Sequence, residues 1–417
     1  METRSRIDIL SLFLYFAIAI IGIASVYSAT YEDGSMTLLD GRSGKQIMWF
    51  GVSLFVGIII FFLNANFFEV FSWYFYVPLM LLLVVVLFIG ADINGARSWI
   101  KIGSFSLQPS EFAKYGAAFA VSSVLSSIDF SFNKRYDVIK LFAVIAFPAI
   151  LIVIQGDTGS ALVFASFILV FYREGLTPIL LVLGIVAIFI FVLTLVIGFS
   201  YFAITTLVLF LVFNAFTYTN KKMLIPSLSI MAVVVLFSLS VQFLFNNVLQ
   251  KHQQKRIQVT LNLIEDNQGA GYNVNQSKIA IGSGGFAGKG FLNGSHTKGN
   301  FIPEQTTDFI FCTIGEEGGW LLSTLTITLF MLFILRLLYL ASRAKKKFKR
   351  IFILSLASIF FFHLLVNVGM TIGLMPVIGI PLPLISYGGS SILAFGIFIF
   401  TALKMDASRD EDLTSES

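Results

Sequence analysis

Apolar runs of about twenty residues recur along almost the whole chain, and this pattern limits the fold more than any other feature. A helix of about 20 apolar residues can cross the hydrocarbon core of a bilayer. The sequence predicts about twelve such helices, although 177–198 and 200–218 can also be read as one long tilted helix. The runs fall at 8–29, 46–64, 70–90, 110–127, 141–155, 158–173, 177–198, 200–218, 223–245, 311–338, 351–372 and 387–405.

Composition supports an all-α, polytopic membrane bundle. The 417 residues are 57% hydrophobic and 12% charged, which leaves too little polar surface for a soluble domain of this size.

Arg4 and Arg6 precede a first run that exceeds a signal peptide's apolar core, so an uncleaved anchor is expected. The net charge of +5 is spread over helix ends, so no nucleic-acid partner is expected. The lone Cys312 excludes an internal disulfide and is read as a packing residue.

Basic residues in the short connecting segments predict the orientation, because Lys and Arg are enriched on the cytoplasmic side of a membrane. With the N-terminus inside, few basic residues lie in the outside segments, chiefly Arg42, Lys45, Arg97 and Lys101. An even number of spans then places the C-terminus inside and a long polar segment, 245–307, outside. The inside segments hold Arg4, Arg6, Lys134, Arg135, Arg173, Lys221, Lys222 and the basic cluster 343–350.

The chain reads as one membrane domain, 1–417, without a soluble module or an internal repeat. Irregular backbone at membrane depth survives only where protein or a wet cavity satisfies its amides. Four polar or proline-rich elements should therefore face one shared outside cavity. They are 94–114, 155–160, the long segment 245–307, and 375–391, which carries Ser386 between its prolines and the last span.

Two charged positions in or between spans are candidates for a substrate site. Glu111 and Lys114 are three residues apart, so they share a helix face and can pair. Ionisable residues inside membranes are often functional, but a self-neutralising structural pair is the alternative. Asp157 follows Gly156 between two apolar runs and is either a helix cap or a cavity carboxylate.

A glycine-rich stretch, 282–290, invites a phosphate-binding reading. It does not fit a P-loop, because the spacing differs and Gly290 rather than Ser or Thr follows Lys289. No nucleotide is therefore expected. Successive amides of a glycine turn can still form an anion nest, and Arg256, Lys278 and Lys289 are close in sequence. The turn is either a diphosphate cradle or a flexible surface loop.

Asp308 is the candidate catalytic residue, because it directly precedes an apolar run. A carboxylate in that position is partly desolvated, which favours a general base, and it can also bind a divalent cation such as Mg²⁺ or Mn²⁺. Glu304, Glu316 and Glu317 compete with it; Glu316 and Glu317 lie deeper and more plausibly brace the helices. A plain helix cap is the alternative for Asp308.

Taken in order, these motifs resemble those of the SEDS proteins of bacteria, the shape, elongation, division and sporulation polymerases of peptidoglycan. The resemblance runs from the first span to the last, and the segment ending at Asp308 is more similar to the RodA branch than to the division paralogue FtsW. The motifs are Asn94-Gly-Ala-Arg-Ser-Trp99, Gln108-Pro-Ser-Glu-x-x-Lys114, Gln155-Gly-Asp-Thr-Gly159, Gly271-Tyr-x-x-x-Gln-Ser-Lys-Ile-Ala-Ile-Gly-Ser-Gly-Gly285, Phe301-Ile-Pro-Glu-x-x-Thr-Asp308, Gly315-Glu-Glu317, Asn367-Val-Gly-Met370 and Pro381-Leu-Pro-x-x-Ser-Tyr-Gly-Gly-Ser390.

The resemblance implies a glycosyltransferase that polymerises lipid II on the outer face of the cytoplasmic membrane, in cell elongation and shape maintenance. The family's essential carboxylate falls on Asp308, its Arg/Trp loop on Arg97 and Trp99, and its Glu/Lys pair on Glu111 and Lys114. Implied partners are lipid II, undecaprenyl-linked glycan, a class B penicillin-binding transpeptidase, other elongation-complex membrane proteins and membrane lipids. A divalent cation is associated with some members.

Two departures from the family pattern stand out. Family members usually have ten spans, so the two additional runs predict an inserted hairpin within 177–245 that turns at Asn220-Lys-Lys222. Because two added spans return the chain to the same side of the membrane, the segment 245–307 is still expected outside. In addition, Gly156 stands where the family usually has proline before the carboxylate of Asp157.

Two other functional classes stay open from the residues alone. A lipid II flippase would also have many spans, broken helices and buried charges. A non-catalytic scaffold for the transpeptidase would need Glu111 and Lys114 but not Asp308. Of the three functions, polymerisation is the one that most requires a carboxylate on the outside of the membrane, and it is the preferred hypothesis.

Overall fold

The computed structural model describes residues 7–31, 37–93, 95–103, 105–216, 224–247, 249, 251–261, 263–264, 269–299 and 301–409. The chain is mainly helical, as predicted. In chain order the helices are α1 Ile9–Thr30, α2 Gly41–Phe62, α3 Ala65–Val70, α4 Ser72–Ile89, α5 Pro109–Ser126, α6 Arg135–Ile154, α7 Thr158–Leu162, α8 Phe167–Arg173, α9 Pro178–Ile197, α10 Phe199–Phe216, α11 Leu224–Asn247, α12 Lys251–Thr260, α13 Ala270–Ser283, α14 Ser295–Lys298, α15 Ile310–Arg343, α16 Lys347–Thr371 and α17 Gly389–Ala407.

Within the described residues, ten helices are long and apolar enough to cross a membrane: α1, α2, α4, α6, α9, α10, α11, α15, α16 and α17. Each of the twelve predicted runs is mainly helical in its described residues, but two differ from simple spans. Helix α5 begins with Pro109, Ser110 and Glu111, so it is not among the ten. The run at 158–173 is divided into α7, a 3-10 turn at Val163–Ser166 and α8.

A small antiparallel sheet lies between α4 and α5, where the sequence predicted only a polar loop. Its strands are β1 Ala91–Ile93, β2 Ala96–Ile102 and β3 Phe105–Leu107, in the order β1-β2-β3. Trp99 pairs with Ala91, and Lys101 pairs with Ser106. The amide of Arg97 also donates to the carbonyl of Gln155 at 2.8 Å. The sheet therefore fixes the backbone of the predicted Arg/Trp loop.

The chain divides into two compact units, 1–175 with 273–417 and 176–272. In the first, α15 packs on α1 and α16, α5 packs on α4 and α16, and α17 packs on α2. Phe119 lies at the centre of an aromatic cluster with Phe68, Phe75 and Phe352. In this unit, α16 and α17 are mostly buried, so they form the inner part of the bundle.

The second unit consists of α9, α10, α11, α12 and the preceding and following segments. The hydroxyl groups of Thr194 on α9 and Ser238 on α11 meet at 2.9 Å, and both side chains are buried. A hydroxyl pair can join helices where hydrocarbon offers no alternative partner. The unit covers the region predicted to contain the inserted hairpin. The predicted turn at Asn220-Lys-Lys222 lies outside the described residues.

An ionic cluster ties together the ends of α1, α15 and α17. The carboxylate of Asp8 caps α1 by accepting from the amide of Ser11 at 2.9 Å, and it also binds Arg336. Arg343 contacts Asp8 and forms two hydrogen bonds with Asp406. Burial raises the pKa of Asp8, but hydrogen bonds from Arg336 and Ser11 outweigh this effect and lower it from 3.8 to about 2.

Asp8→Asn should therefore destabilise the protein at neutral pH and have a decreasing effect in acid. A carboxyl group with a lowered folded-state pKa stabilises the fold above its ordinary pKa, and this contribution is lost as the pH falls through the folded pKa. The difference in unfolding midpoint between wild type and variant should be constant from about pH 7 to about pH 5. It should shrink as the pH falls from about 4 toward 2. A difference that grows with acid would contradict the assignment.

Candidate active site

The segment before α15 is locked to the end of α16 and to the proline-rich segment that follows it. The side-chain amide of Asn367 donates to the backbone carbonyls of Asp308, at 2.9 Å, and Ile380, at 2.8 Å. The hydroxyl of Ser386 donates to the carbonyl of Thr307 at 2.6 Å and accepts from the amide of Leu382 at 2.8 Å. Ser386 is thus a positioning residue, and the backbone at Asp308 is held from two sides.

The carboxylate of Asp308 faces the proline-rich segment at Gly379. A Cβ atom added to Gly379 would lie 3.2 Å from Oδ2 of Asp308, and the φ of Gly379 is +78°. A side chain there would be strained and would crowd the carboxylate. Asp308 itself is half-buried, as expected for a partly desolvated carboxylate. The sequence prediction that 375–391 and Asp308 share one site is consistent with this contact.

A polar cleft of about 440 Å³ opens beside this segment, between the end of α1, the start of α2 and residues 302–306. Arg42 lines it and donates to the hydroxyl of Thr306 at 2.5 Å. Lys298 also lines it, with its ammonium 5.1 Å from the ring centre of Tyr31. The sequence counted Arg42 only as a loop charge and did not single out Lys298. Nothing local distinguishes either residue, because the cleft forms between distant segments.

Glu304 lines the same cleft and is exposed. Its carboxylate accepts from the hydroxyl of Thr307 at 3.0 Å, and its backbone has a φ of +56°. A positive φ is unusual for a residue with a side chain. The backbone carbonyl of Glu304 accepts from the amide of Phe309 at 3.2 Å, so this turn directs the chain into α15.

Glu111 and Lys114 form a buried ion pair, with Nζ and Oε1 2.8 Å apart and both side chains 2% exposed. His363 on α16 joins them, because its Nε2 lies 3.1 Å from Lys114 Nζ. Nδ1 of His363 lies 2.8 Å from the carbonyl of Pro381. A carbonyl can only accept, so Nδ1 carries the proton and Nε2 accepts from the ammonium. Sequence analysis missed His363, which lies within an apolar run.

This buried network connects two of the predicted polar elements. It begins on α5, continues through α16 and ends on the proline-rich segment that also contacts Asp308. Neither Glu111 nor Lys114 lines the polar cleft beside Thr306. The pair therefore stabilises the elements that form the site and does not line the cleft itself. The self-neutralising structural pair, one of the two sequence interpretations, describes the observed contacts.

Asp157 caps α7, the plainer of the two sequence interpretations. Its Oδ1 accepts from the amide of Ser160, and its Oδ2 accepts from the side chain of Gln108, both at 2.9 Å. These bonds join the element 155–160 to the start of α5. Of the predicted Arg/Trp loop, Arg97 is exposed and Trp99 is half-buried on β2.

The glycine-rich stretch is paired with α15 through its backbone. The amides of Lys289 and Gly290 donate to the carbonyls of Glu316 and Glu317, each at 3.0 Å. In return, the amides of Trp320 and Leu321 donate to the carbonyls of Gly285 and Phe286, at 2.9 and 3.1 Å. Helix α15 is broken there, because Gly319 has a non-helical φ of +61°. These amides are used within the protein and do not form the predicted anion nest.

Lys289 is also engaged within this structure. Its ammonium lies 2.7 Å from Oε1 of Glu316, which additionally accepts from the amide of His296 at 2.9 Å. Glu317 accepts from the hydroxyl of Ser28 on α1 at 2.5 Å. Glu317 therefore joins α15 to α1, as the sequence interpretation expects, whereas Glu316 holds Lys289 and His296 against α15.

The remaining two predicted cations differ in their position. Lys278 is exposed on α13 and lies against Gly373, which has a φ of +78°. Arg256 lies on α12 in the second unit. Lys278 does not line the polar cleft that Arg42 and Lys298 line.

Gly288→Ala should destabilise the paired loop. Gly288 has a φ of +80°, and a Cβ atom there would overlap the carbonyl of Glu317. Such backbone strain costs about 1–3 kcal/mol, so the unfolding midpoint should fall and proteolysis within 282–290 should accelerate. Gly282→Ala is the matched control, because a Cβ atom at Gly282 meets no other atom within 4 Å. Equal effects of the two substitutions would contradict the role of the pairing.

Comparison with known proteins gives consistent results over nearly the full length. The family model FTSW_RODA_SPOVE, described as a cell cycle protein, matches residues 7–211 and 183–411. The two matches overlap at 183–211, within the region predicted to hold the inserted hairpin. Peptidoglycan glycosyltransferase MrdB of Escherichia coli (strain K12) is 29% identical over 399 residues, covering 94% of this chain and 93% of the relative. Peptidoglycan glycosyltransferase RodA of Treponema pallidum (strain Nichols) is 30% identical over 417 residues, covering 93% and 94%.

Solved structures share the fold. A chain from a structure described as showing structural coordination of polymerization and crosslinking by a peptidoglycan synthase complex superposes with a TM-score of 0.70 at 23% identity, covering 97% of this chain and 98% of that chain. The crystal structure of Thermus thermophilus rod shape determining protein RodA superposes with a TM-score of 0.62 at 23% identity and covers 97% of both chains. The protein described here therefore belongs to the FtsW/RodA/SpoVE family of cell cycle proteins, the SEDS family that its motifs indicated.

Proposed function

We propose that this protein is a peptidoglycan glycosyltransferase that polymerises lipid II into glycan strands during cell elongation. The observation that carries the proposal is Asp308, whose backbone is fixed by Asn367 and whose carboxylate lies at Gly379, next to a polar cleft. The backbone from which this carboxylate extends is therefore fixed beside the cleft. Relatives that align over more than nine-tenths of the chain bear the same enzyme name.

In the proposed reaction, the 4-hydroxyl of the acceptor's terminal GlcNAc attacks the anomeric carbon of the donor's MurNAc. A new glycosidic bond forms with inversion, and the bond to undecaprenyl diphosphate breaks. Asp308 removes the hydroxyl proton as the attack proceeds, a role that contributes about 10²–10⁴-fold in rate. The donor is already activated, so no nucleotide is needed. Both substrates are lipid-linked, and binding them in one membrane protein replaces an encounter in solution.

A divalent cation, Mg²⁺ or Mn²⁺, is proposed as an optional partner of Asp308. Among the residues that the structure describes, no three His, Cys, Asp or Glu side chains converge on one point. Asp308 would therefore be the single side-chain ligand, with carbonyl oxygens, water or substrate phosphates completing the shell, an arrangement that Mg²⁺ tolerates. When bound, such an ion would stabilise the developing negative charge of the diphosphate.

The proposed location is the bacterial cytoplasmic membrane, with both termini and the Asp8–Arg343 cluster on the cytoplasmic side. Basic residues from Arg343 to Arg350 lie where α15 ends and α16 begins, and Lys and Arg are enriched on the cytoplasmic side. Asp308, the polar cleft and the segment 245–307 would then lie outside, where lipid II is used. The proposed partners are a class B penicillin-binding transpeptidase and other elongation-complex membrane proteins, in line with the synthase complex that shares this fold.

A division role is the alternative within the family. Probable peptidoglycan glycosyltransferase FtsW of Wigglesworthia glossinidia brevipalpis is 28% identical over 412 residues, covering 97% of this chain and 94% of the relative. The segment from Phe301 to Asp308 favours the elongation branch. Complementation of strains depleted of either paralogue separates the two roles: restored rod shape without restored division supports elongation.

The direct test is glycan-strand formation from purified lipid II. The purified protein is assayed alone, with its cognate transpeptidase partner, and with or without Mg²⁺ or Mn²⁺. Glycan polymer in any of these conditions supports the enzyme. Absence of polymer in all of them from correctly folded protein, together with lipid II movement across proteoliposomes, would replace the proposal with a flippase. Absence of both activities would leave the scaffold role.

A further inference from the structure

The proline-rich segment that faces Asp308 depends on side chains for some of its hydrogen bonds. Pro376, Pro381 and Pro383 lack amide hydrogens, so these positions cannot donate to a backbone partner. Carbonyl groups shielded from water still require donors. Two consecutive carbonyls, those of Ile380 and Pro381, have side-chain partners on α16. The position of the segment therefore depends on residues of that helix.

The two donors on α16 are one helical turn apart. His363 and Asn367 are separated by four residues, so their side chains lie on the same face of the helix. Nδ1 of His363 lies 2.8 Å from the carbonyl oxygen of Pro381, and Asn367 donates to that of Ile380 at 2.8 Å. Asn367 also donates to the carbonyl of Asp308 at 2.9 Å. The two side chains thus hold the proline-rich segment and the backbone of Asp308 against one helix.

The imidazole ring of His363 is itself held by neighbouring helices. The side chain is 1% exposed, and its Nε2 accepts from the ammonium of Lys114 on α5 at 3.1 Å. The ring of Phe395 on α17 meets the imidazole edge-on, with ring centres 5.2 Å apart. Lys114 also lies 5.1 Å from the ring centre of Phe395. Because the ring cannot turn freely, its Nδ1 hydrogen points in one direction, toward the carbonyl of Pro381.

The residues just before Pro381 connect this contact to the carboxylate of Asp308. A Cβ atom added to Gly159 on α7 would lie 2.5 Å from the carbonyl oxygen of Ile378, so the segment also packs closely on α7. Gly379 follows, and a Cβ atom there would lie 3.2 Å from Oδ2 of Asp308. Gly379 is two residues before Pro381. A displaced Pro381 carbonyl would therefore shift the backbone that the carboxylate faces.

We propose that His363 is a positioning residue for the carboxylate of Asp308, acting through the carbonyl of Pro381 and the backbone of Gly379. This role rests on the proposed function for the reaction that Asp308 serves. A catalytic group that is already in place avoids the cost of orientation, and a displacement of about 1 Å can cost about 10²-fold in rate. Lys114 then contributes to the site by holding Nε2 of His363.

Three substitutions of His363 separate the roles of its ring nitrogens. The side-chain amide nitrogen of asparagine reaches about as far as Nδ1 of histidine, whereas that of glutamine reaches about as far as Nε2. His363→Leu should lower the kcat of glycan polymerisation by about 10- to 10²-fold and change the KM for lipid II little, because substrate binding is retained. His363→Asn should restore most of the rate, since its amide can donate to Pro381. His363→Gln should not.

Phe352→Leu is the matched control for lost packing. Phe352 is a buried ring on the same helix, and it contacts the rings of Phe119 and Phe398. The substitution should lower the unfolding midpoint but leave the kcat of the folded protein unchanged. If its kcat falls as far as that of His363→Leu, or if His363→Leu keeps the wild-type rate, His363 does not position the carboxylate. Rescue by His363→Gln instead of His363→Asn would assign the effect to Lys114 and would also overturn this role.

Amide hydrogen exchange tests the same contact without turnover. The amides of Leu382 and Tyr387 take part in hydrogen bonds that hold the proline-rich segment, and local opening exposes such amides to exchange. His363→Leu should accelerate exchange in 302–309 and 380–388, whereas His363→Asn should not. If His363→Leu does not fold, the comparison of His363→Asn with His363→Gln provides the same test.

The two measurements together distinguish the positioning role from the proposed function. Accelerated exchange in His363→Leu, without any polymer from the wild type, refutes the proposed function alone. Polymer from the wild type, with unchanged exchange and an unchanged rate in His363→Leu, refutes the positioning role alone.

Discussion

Asp308→Asn should reduce glycan polymerisation from lipid II by about 10²–10⁴-fold, the usual contribution of a general base. The substitution removes the charge and the proton-accepting oxygen while preserving the shape of the side chain. The hydrogen bond between Asn367 and the segment before α15 should be preserved, because Asn367 binds the backbone carbonyl of Asp308 rather than its carboxylate. The unfolding midpoint and the binding of a transpeptidase partner should therefore stay close to those of the wild type.

The control for this variant is Asp129→Asn, which removes the same charge from an exposed position on the short connection between α5 and α6. Its polymerisation rate should match that of the wild type. Asp308→Glu adds a methylene group toward Gly379 and should recover only part of the activity. Full polymerase activity of a normally folded Asp308→Asn protein would exclude Asp308 as the base.

Lys114→Met should be the most destabilising single substitution among the predicted site residues. It leaves Glu111 buried without its cation, and breaking a buried ion pair costs about 3–5 kcal/mol. One oxygen of Glu111, Oε2, already has no hydrogen-bond partner, so no second bond compensates. The variant should unfold at a markedly lower temperature in detergent, as measured by intrinsic fluorescence during heating.

The double variant Glu111→Gln with Lys114→Met distinguishes support from catalysis. It contains no uncompensated buried charge, so most of the lost stability should return. If polymerisation returns with stability, the pair supports the site structurally. A Lys114→Met protein with unchanged stability and no polymerisation would instead show that the pair acts on substrate, the other alternative that the sequence allowed.

The helices could be predicted from the sequence, because the length of an apolar run determines whether the segment can span a membrane. The runs at 8–29 and 387–405, for example, became α1 and α17 with small boundary shifts. The cap at Asp157 was also among the predictions, since an acidic residue before a helix satisfies free amides locally. The partly buried position of Asp308 follows from the same local reasoning.

Contacts between segments that are distant in sequence could not be predicted from the sequence. Lys289 pairs with Glu316 across 27 residues, and no local pattern distinguishes this pairing from a free cation in a glycine-rich loop. His363 lies within a run read only as apolar, and its role depends on Lys114, 249 residues away in sequence. The three short strands between Ala91 and Leu107 were missed for a similar reason, since their pairing and not their composition defines them.

The break at Gly319 has a consequence for how deep the protein lies in the bilayer. The 34 residues of α15 would measure about 51 Å as one straight helix, well beyond the ~30 Å hydrocarbon core. From Trp320 to Arg343 the helix measures about 36 Å, which fits a modestly tilted span. Trp320, exposed and stacked on Phe286, then marks the membrane surface. The glycine-rich loop, by pairing with the broken backbone, sets the level at which Asp308 meets its lipid-linked substrates.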